Sequence, residues 1–174
     1  LILRREGYGW GASTRRERLR FRPLSRRDWL DLLIGIIGVV AGSLLIMKGL
    51  ETAVGPQNHS PSFMSFEPLG PGRYWILAAW FPYWILNILG EEFLWRGVML
   101  PRQEKAWGRH AWLVHAAGWG LFHIAFGWQL LLTLLPLIFI QSWVVQRTGN
   151  SWTGVLMHAG LNGPAFVAIA LGLI

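Results

Sequence analysis

The segment from Ala111 to Gln146 has 36 consecutive residues without Asp, Glu, Lys or Arg. As one α-helix at 1.5 Å per residue it would be about 54 Å long, whereas the hydrocarbon core of a bilayer is about 30 Å thick. The segment must therefore form two helices, and we place the break at Gly127 and Trp128. Only Arg147 carries a formal charge between Ala111 and the end of the sequence. This pattern indicates a membrane protein.

The composition of the chain supports the same conclusion. Of its 174 residues, 53% are hydrophobic and 14% are charged, and none is cysteine. Soluble domains have about 25% charged residues, so this chain has too little polar surface to be covered by water. The composition therefore excludes a disordered tail, and the absence of cysteine excludes a disulfide-stapled secreted module.

Apolar stretches of spanning length predict an all-α fold, a polytopic transmembrane helix bundle with about five membrane helices. The predicted helices are Trp29–Leu50, Tyr74–Leu100 with Pro101 as its stop, Ala111–Phe126, Gln129–Gln146 and Ser151–Ile174. The sequence begins with apolar residues 1–3 followed by two arginines, which resembles the end of an earlier helix. We therefore expect the sequence to be truncated at its N-terminus.

The basic residues predict the orientation. Nine of the sixteen Lys and Arg residues precede Asp28, and the loop Glu51–Gly72 has none. Because basic loops stay in the cytoplasm, we expect a basic cytoplasmic segment at 1–28, a membrane-embedded domain at 29–174 and an external C-terminus. The expected location is a prokaryotic plasma membrane. The cytoplasmic position of this segment and its attraction to anionic lipid explain its arginines, so no nucleic-acid partner is expected.

Two adjacent carboxylates lie inside the second predicted helix. An ionisable group at membrane depth costs at least about 2.5 kcal/mol, so it suggests a functional site. Arg96 follows Glu92 by four residues and shares its helical face, which makes Glu92 the structural partner. Glu91 lies about 100° around the helix with no basic residue one turn away, so it is the better candidate for a working base.

Two further helices have polar residues at a similar depth. Measured from the predicted helix ends at 1.5 Å per residue, Glu91, His123 and His158 lie roughly 14, 20 and 10 Å deep. Asn162 follows His158 by four residues, so both could present hydrogen-bond donors to one cavity. Pro164 cannot donate to the carbonyl of Gly160, which favours an open or kinked backbone beside them.

Together these residues resemble the CPBP intramembrane proteases, the CAAX-protease and bacteriocin-processing or Abi family. The resemblance covers residues 85–164 and rests on three motifs: Glu91, Glu92 and Arg96; His123 four residues after an aromatic; and His158 with Asn162. The second motif usually has Phe where this chain has Trp119. The resemblance implies an intramembrane endopeptidase in which Glu91 activates water and His123 helps to hold it. It also implies that His158 and Asn162 stabilise the oxyanion, and that Glu92 with Arg96 orients the helix.

The sequence leaves metal dependence and three other functions open. Glu91, His123 and His158 could hold a divalent metal such as zinc, although the HExxH spacing is absent. The same three residues could relay protons in a transporter, or the two histidines could bind haem. A noncatalytic immunity or scaffold protein of the same fold is the third alternative. For the peptidase, the expected partners are the lipid bilayer and a peptide or protein substrate, including membrane-anchored ones.

Overall fold

The computed structural model describes residues 2–56 and 67–173, and every regular element in these ranges is helical. The all-α prediction is therefore confirmed. The α-helices are α1 (Ile2–Arg5), α2 (Arg26–Val54), α3 (Trp75–Glu92), α4 (Leu100–Trp107), α5 (Ala111–Phe122), α6 (Trp128–Thr148) and α7 (Ser151–Ala170). Shorter π-helical turns cover Thr14–Arg18 and Phe93–Met99, and 3₁₀ turns cover Gly108–His110 and Ile124–Phe126. Part of the predicted outer loop, residues 57–66, and the predicted C-terminal end Ile174 lie outside the described residues.

Three of the described helices, α2, α6 and α7, are long and apolar enough to cross a membrane by themselves. Helix α3 has 18 residues and α5 has 12. The prediction of five crossings therefore holds for three helices by length and composition, and it stays a prediction for α3 and α5. The predicted break between α5 and α6 is confirmed at Gly127, whose φ of 97° suits glycine.

Helix α2 begins where the sequence supplies a capping box. The Ser25 hydroxyl accepts from the Asp28 backbone N–H, and the Asp28 carboxylate accepts from the Ser25 N–H. Asp28 also accepts from Asn150, which caps the start of α7. Arg147 at the end of α6 forms an ion pair with Asp31 at 3.1 Å. These contacts fix α2 to the connection between α6 and α7.

Close helix packing around α2 yields a prediction on stability. A Cβ atom added at Gly42 would lie 3.0 Å from the ring of Pro136 in α6, and a proline ring cannot rotate away. We expect Gly42→Ala to lower the free energy of unfolding by about 1 kcal/mol. Gly49→Ala on the same helix meets open space and should be neutral or slightly stabilising. Thermal unfolding of both variants in detergent tests this prediction. Equal stability of the two would contradict the close packing of Gly42 against Pro136.

The predicted second helix continues further than its sequence suggests. Helix α3, the π-helical turn and α4 form one helical path from Trp75 to Trp107, so the prediction that Pro101 ends the helix is wrong. Pro101 lies in the first turn of α4. Its ring would clash with the carbonyl of Gly97, four residues earlier, and it has no N–H to give that carbonyl. The wider π-helical turn accommodates the ring, and another residue supplies the missing donor.

That donor comes from residues 14–22, which we call the basic strap. Arg18 in the strap is 6% exposed, and its guanidinium donates to the carbonyls of Gly97 at 3.0 Å and Val98 at 3.3 Å. Arg18 also donates to the carboxylate of Glu6. The N-terminal segment therefore packs against the helical bundle.

The Glu6 carboxylate makes this packing sensitive to acid. Hydrogen bonds from Arg18, joined by Arg102, lower the pKa of Glu6 to about 2 from its ordinary 4.5. The stabilisation is therefore complete above pH 4.5 and is lost as the pH falls toward 2. We expect the hydrogen-exchange rates of strap amides, corrected for intrinsic rates, to rise as the pH is lowered from 4.5 toward 2. Glu6→Gln should remove that pH dependence, and a variant with the same profile as the unmodified chain would contradict the assignment.

Candidate active site

Glu92 lies at the centre of the polar residues and is completely buried. Its Oε1 atom accepts from Arg96 at 3.0 Å, from Gln141 at 2.9 Å and from Nδ1 of His158 at 2.9 Å. The predicted pairing of Glu92 with Arg96 is thus found in the structure. Because three donors from three helical segments meet on one oxygen, Glu92 joins the first and third motifs.

Arg96 is buried together with its carboxylate partner. Its guanidinium carbon lies 3.7 Å from the centre of the Trp119 ring, so the cation is stacked on an aromatic face. The edges of His123 and His158 meet the same indole, with ring centres 5.0 and 5.5 Å away. Trp119 therefore contacts a residue from each of the three motifs.

Two residues around Glu92 were absent from the sequence prediction. Gln141 on α6 donates to Glu92 and to the carbonyl of Gly154, and it is fully buried. Gly154 on α7 lies directly against Glu92: a Cβ atom there would be closer to Oε2 than van der Waals contact allows. A buried glutamine in an apolar helix is the kind of polar residue that could have drawn attention. The role of Gly154 depends on the distance between two helices, which no local pattern encodes.

Glu91 has a different environment from its neighbour. Its Oε1 atom accepts from Asn87, one turn earlier, at 3.2 Å. Its Oε2 atom is buried and has no hydrogen-bond partner among the described residues. Glu91 also lies close enough to His123 and Arg96 to interact with them electrostatically. The Glu91 carboxylate therefore has one oxygen without a hydrogen-bond donor among the described residues, and its role as a base stays a prediction.

His123 follows α5 directly and is held by the end of that helix. Its Nδ1 atom lies 2.8 Å from the Trp119 carbonyl oxygen, and a carbonyl can only accept. Nδ1 therefore carries the proton, which leaves Nε2 as an acceptor. His123 is also near enough to His158 for an electrostatic interaction. His123 therefore interacts electrostatically with both Glu91 and His158, and both histidine rings contact Trp119.

The third motif is only partly enclosed. His158 is 5% exposed, and its Nδ1 is used by Glu92, so Nε2 is the nitrogen available to a ligand. Asn162 lies one turn further along α7 and is exposed. Gly163 beside it packs against Trp84 of α3, where an added Cβ would lie 2.7 Å from the indole. The structure thus places His158 against Glu92 and Asn162 at an exposed position of α7.

Metal binding by Glu91, His123 and His158 stays a prediction. Within residues 2–56 and 67–173, no group of three His, Asp or Glu side chains is arranged to hold a metal ion. The indole of Trp119 lies against both imidazoles. No step below is routed through a metal.

The family comparison agrees with this geometry. Residues 73–163, just over half of the chain, match the model of the type II CAAX prenyl endopeptidase Rce1-like family. The chain belongs to this family. At the family level it is an intramembrane protease, and its apolar helices are those of a membrane protein. Searches among curated proteins and among solved structures gave no match.

The Rce1-like match extends from just before α3 to Gly163 in α7. It includes every residue predicted for the site: Glu91, Glu92, Arg96, His123, His158 and Asn162. It also includes Trp119, Gln141 and Gly154, which the structure adds to their surroundings. The basic strap and α2 lie outside the matched residues, although both contact them.

Proposed function

We propose that this chain hydrolyses a peptide bond of a membrane-anchored substrate with a water molecule activated by Glu91. The observation that carries the proposal is the contrast between two adjacent carboxylates. Oε1 of Glu92 accepts three hydrogen bonds from three helical segments, whereas the Glu91 carboxylate accepts, within the described part of the chain, only from Asn87 and interacts electrostatically with His123. The Oε2 atom of each carboxylate has no hydrogen-bond partner among the described residues. A carboxylate with a free oxygen within reach of water is suited to act as a general base.

In the proposed reaction, the Glu91 carboxylate removes a proton from water while the water oxygen forms a bond with the substrate carbonyl carbon. The second water proton is directed to Nε2 of His123, whose Nδ1 is occupied by the Trp119 carbonyl. The proton held by Glu91 then passes to the amide nitrogen as the carbon–nitrogen bond breaks. The products are a new carboxylate and a new amine, and no Ser or Cys nucleophile takes part.

His158 and Asn162 are the proposed donors to the tetrahedral oxyanion. The Glu92 carboxylate bound to Nδ1 of His158 can support a proton on Nε2, as an acidic residue does for the histidine of a hydrolase triad. The Asn162 amide lies one turn away and is accessible. Preorganised donors of this kind contribute about 3 to 4 kcal/mol to a transition state. Glu92 and Arg96 then act by holding His158 and the helix in place.

The family description suggests which substrate to test first. The matched family is described as a prenyl endopeptidase acting on CAAX sequences, so we propose a prenylated C-terminal peptide as the probe. A lipid-modified peptide would be anchored in the bilayer near the buried cluster. The basic strap would lie on the cytoplasmic side, with the N-terminal segment in the cytoplasm.

The test uses the purified chain in liposomes with a farnesylated CAAX peptide in water enriched in ¹⁸O. We expect release of the C-terminal tripeptide and incorporation of ¹⁸O into the new carboxylate of the prenylated product. The same peptide without the prenyl group measures how much the anchor contributes. Intact peptide after prolonged incubation would contradict cleavage of this substrate, and product without ¹⁸O would contradict direct attack by water.

No contact favours the haem or transporter alternatives over peptide hydrolysis. The indole of Trp119 packs against the imidazoles of both His123 and His158. Neither function uses the three-donor arrangement around Glu92. For a noncatalytic immunity or scaffold protein, the biological activity should survive Glu91→Gln, so that measurement separates it from the peptidase.

A further inference from the structure

The helical path that carries the two glutamates has a backbone defect immediately after them. Pro101 removes the N–H that would normally bond the carbonyl of Gly97, one turn earlier. Arg18 compensates, since its Nη1 atom donates to this carbonyl at 3.0 Å and its Nη2 atom donates to Val98 at 3.3 Å. A charged donor from outside the helix therefore completes the hydrogen bonding of the π-helical turn.

The neighbouring strap residues cover the same turn. The three tertiary atoms nearest to a Cβ atom added at Gly97 would all belong to the strap: two atoms of Leu19 and one of Phe21, each at 3.6 Å. Leu19 itself is fully buried. The strap thus touches the turn through a buried apolar residue as well as through Arg18. The strap therefore contacts the π-helical turn on the side where Gly97 lies.

The strap also holds the start of the helix that carries His158. The hydroxyl of Ser151 donates to the carbonyl of Leu19 at 2.7 Å, and the Ser151 N–H donates to the carbonyl of Arg20 at 3.0 Å. Phe21 packs edge-on against Trp152, with ring centres 5.2 Å apart. One short segment is therefore bonded both to the turn after Glu91 and Glu92 and to the first turn of α7.

From these contacts we infer that the basic strap sets the position of α3, which carries Glu91 and Glu92, relative to α7. Arg18 is the positioning residue. Arg18 does not touch the substrate; it acts through the Gly97 and Val98 carbonyls. The neighbouring Arg16 has an exposed side chain, so it provides a matched control within the same segment. The effect on catalysis rests on the proposed function, but docking of the strap does not.

Docking is tested without any substrate. The chain has no cysteine, so Gly97→Cys introduces a single thiol beneath the strap. We expect slow labelling by a water-soluble maleimide in liposomes, at least tenfold faster labelling when Arg18→Ala is added, and no change when Arg16→Ala is added. Arg18→Lys, which keeps the charge but loses the fork of donors, should label at an intermediate rate. Equal labelling in all four proteins would overturn the inference.

Positioning is tested by activity on the farnesylated peptide, using the strap variants without the cysteine. We expect Arg18→Ala to lower kcat on the order of 10²-fold with little change in KM, because small displacements of a catalytic group have large effects. Millimolar guanidinium should restore part of kcat in Arg18→Ala and have no effect on Arg16→Ala. Full activity of Arg18→Ala despite fast labelling would overturn the positioning role. If the unmodified chain cleaves no peptide, the proposed function fails while the labelling result still decides whether the strap docks.

Discussion

Glu91→Gln is expected to abolish peptide hydrolysis while leaving the fold intact. The substitution keeps the size of the side chain and can keep a contact with Asn87, but an amide cannot accept a proton from water at Oε2. General bases contribute typically about 10²- to 10⁴-fold, so we expect kcat on the farnesylated peptide to fall by about 10³-fold or more. Single-turnover measurement of tripeptide release gives the rate of hydrolysis, and thermal unfolding in parallel shows whether the fold is intact.

The control for this substitution is Glu51→Gln. Glu51 lies near the C-terminal end of α2 and is more than half exposed. Among the described residues its carboxylate pairs only with Lys48. We expect unchanged activity from this variant. Substantial hydrolysis by Glu91→Gln would show that another group activates the water, and it would remove the role we assign to this carboxylate.

The second large effect is expected from Gly154→Ala, a change of one methyl group. The added carbon would overlap Oε2 of Glu92 and lie 3.0 Å from Val145. Glu92 must then move, which weakens its bonds with Arg96, Gln141 and His158. Overpacking together with buried polar groups left without partners should lower the free energy of unfolding by about 3 kcal/mol. We also expect hydrolysis to fall on the order of 10²-fold, since His158 would lose its orientation.

Gly160→Ala provides a matched comparison for this prediction. Gly160 belongs to the same helix, but an added Cβ there meets nothing within 4 Å. This variant should retain activity and be as stable as the unmodified chain or slightly more stable, because alanine favours helix more than glycine does. Similar stability and activity of the two variants would contradict the close approach of α7 to Glu92.

Much of the site could be predicted because charged and polar side chains are unusual within apolar membrane helices. Glu91, Glu92 and Arg96 stand out as charges in an apolar helix, and His123 and His158 stand out as polar residues in two others. The need for a break within this segment also followed from length alone, since 36 uncharged residues exceed one membrane thickness. Local spacing then correctly paired Glu92 with Arg96.

The rest depended on tertiary contacts that local patterns do not record. Pro101 predicted a helix end, yet the path continues because Arg18 satisfies the affected carbonyls, which lie 79 and 80 positions later in the sequence. The strap arginines were interpreted only through topology and lipid, since a cluster of positive charge does not show which member is buried. Gly154 could not be singled out among 21 glycines, because its importance lies in the carboxylate that faces it.

Cleavage of peptide bonds in a membrane through Glu91 can be measured in cells. The most direct measurement compares protein termini in membranes from cells making the unmodified chain with those from cells making Glu91→Gln at equal abundance. We predict a set of new termini that occurs only with the unmodified chain and that identifies the cleaved bond. Identical termini in the two samples, with the protein's biological effect preserved in both, would contradict cleavage through Glu91 and indicate a noncatalytic role in the membrane.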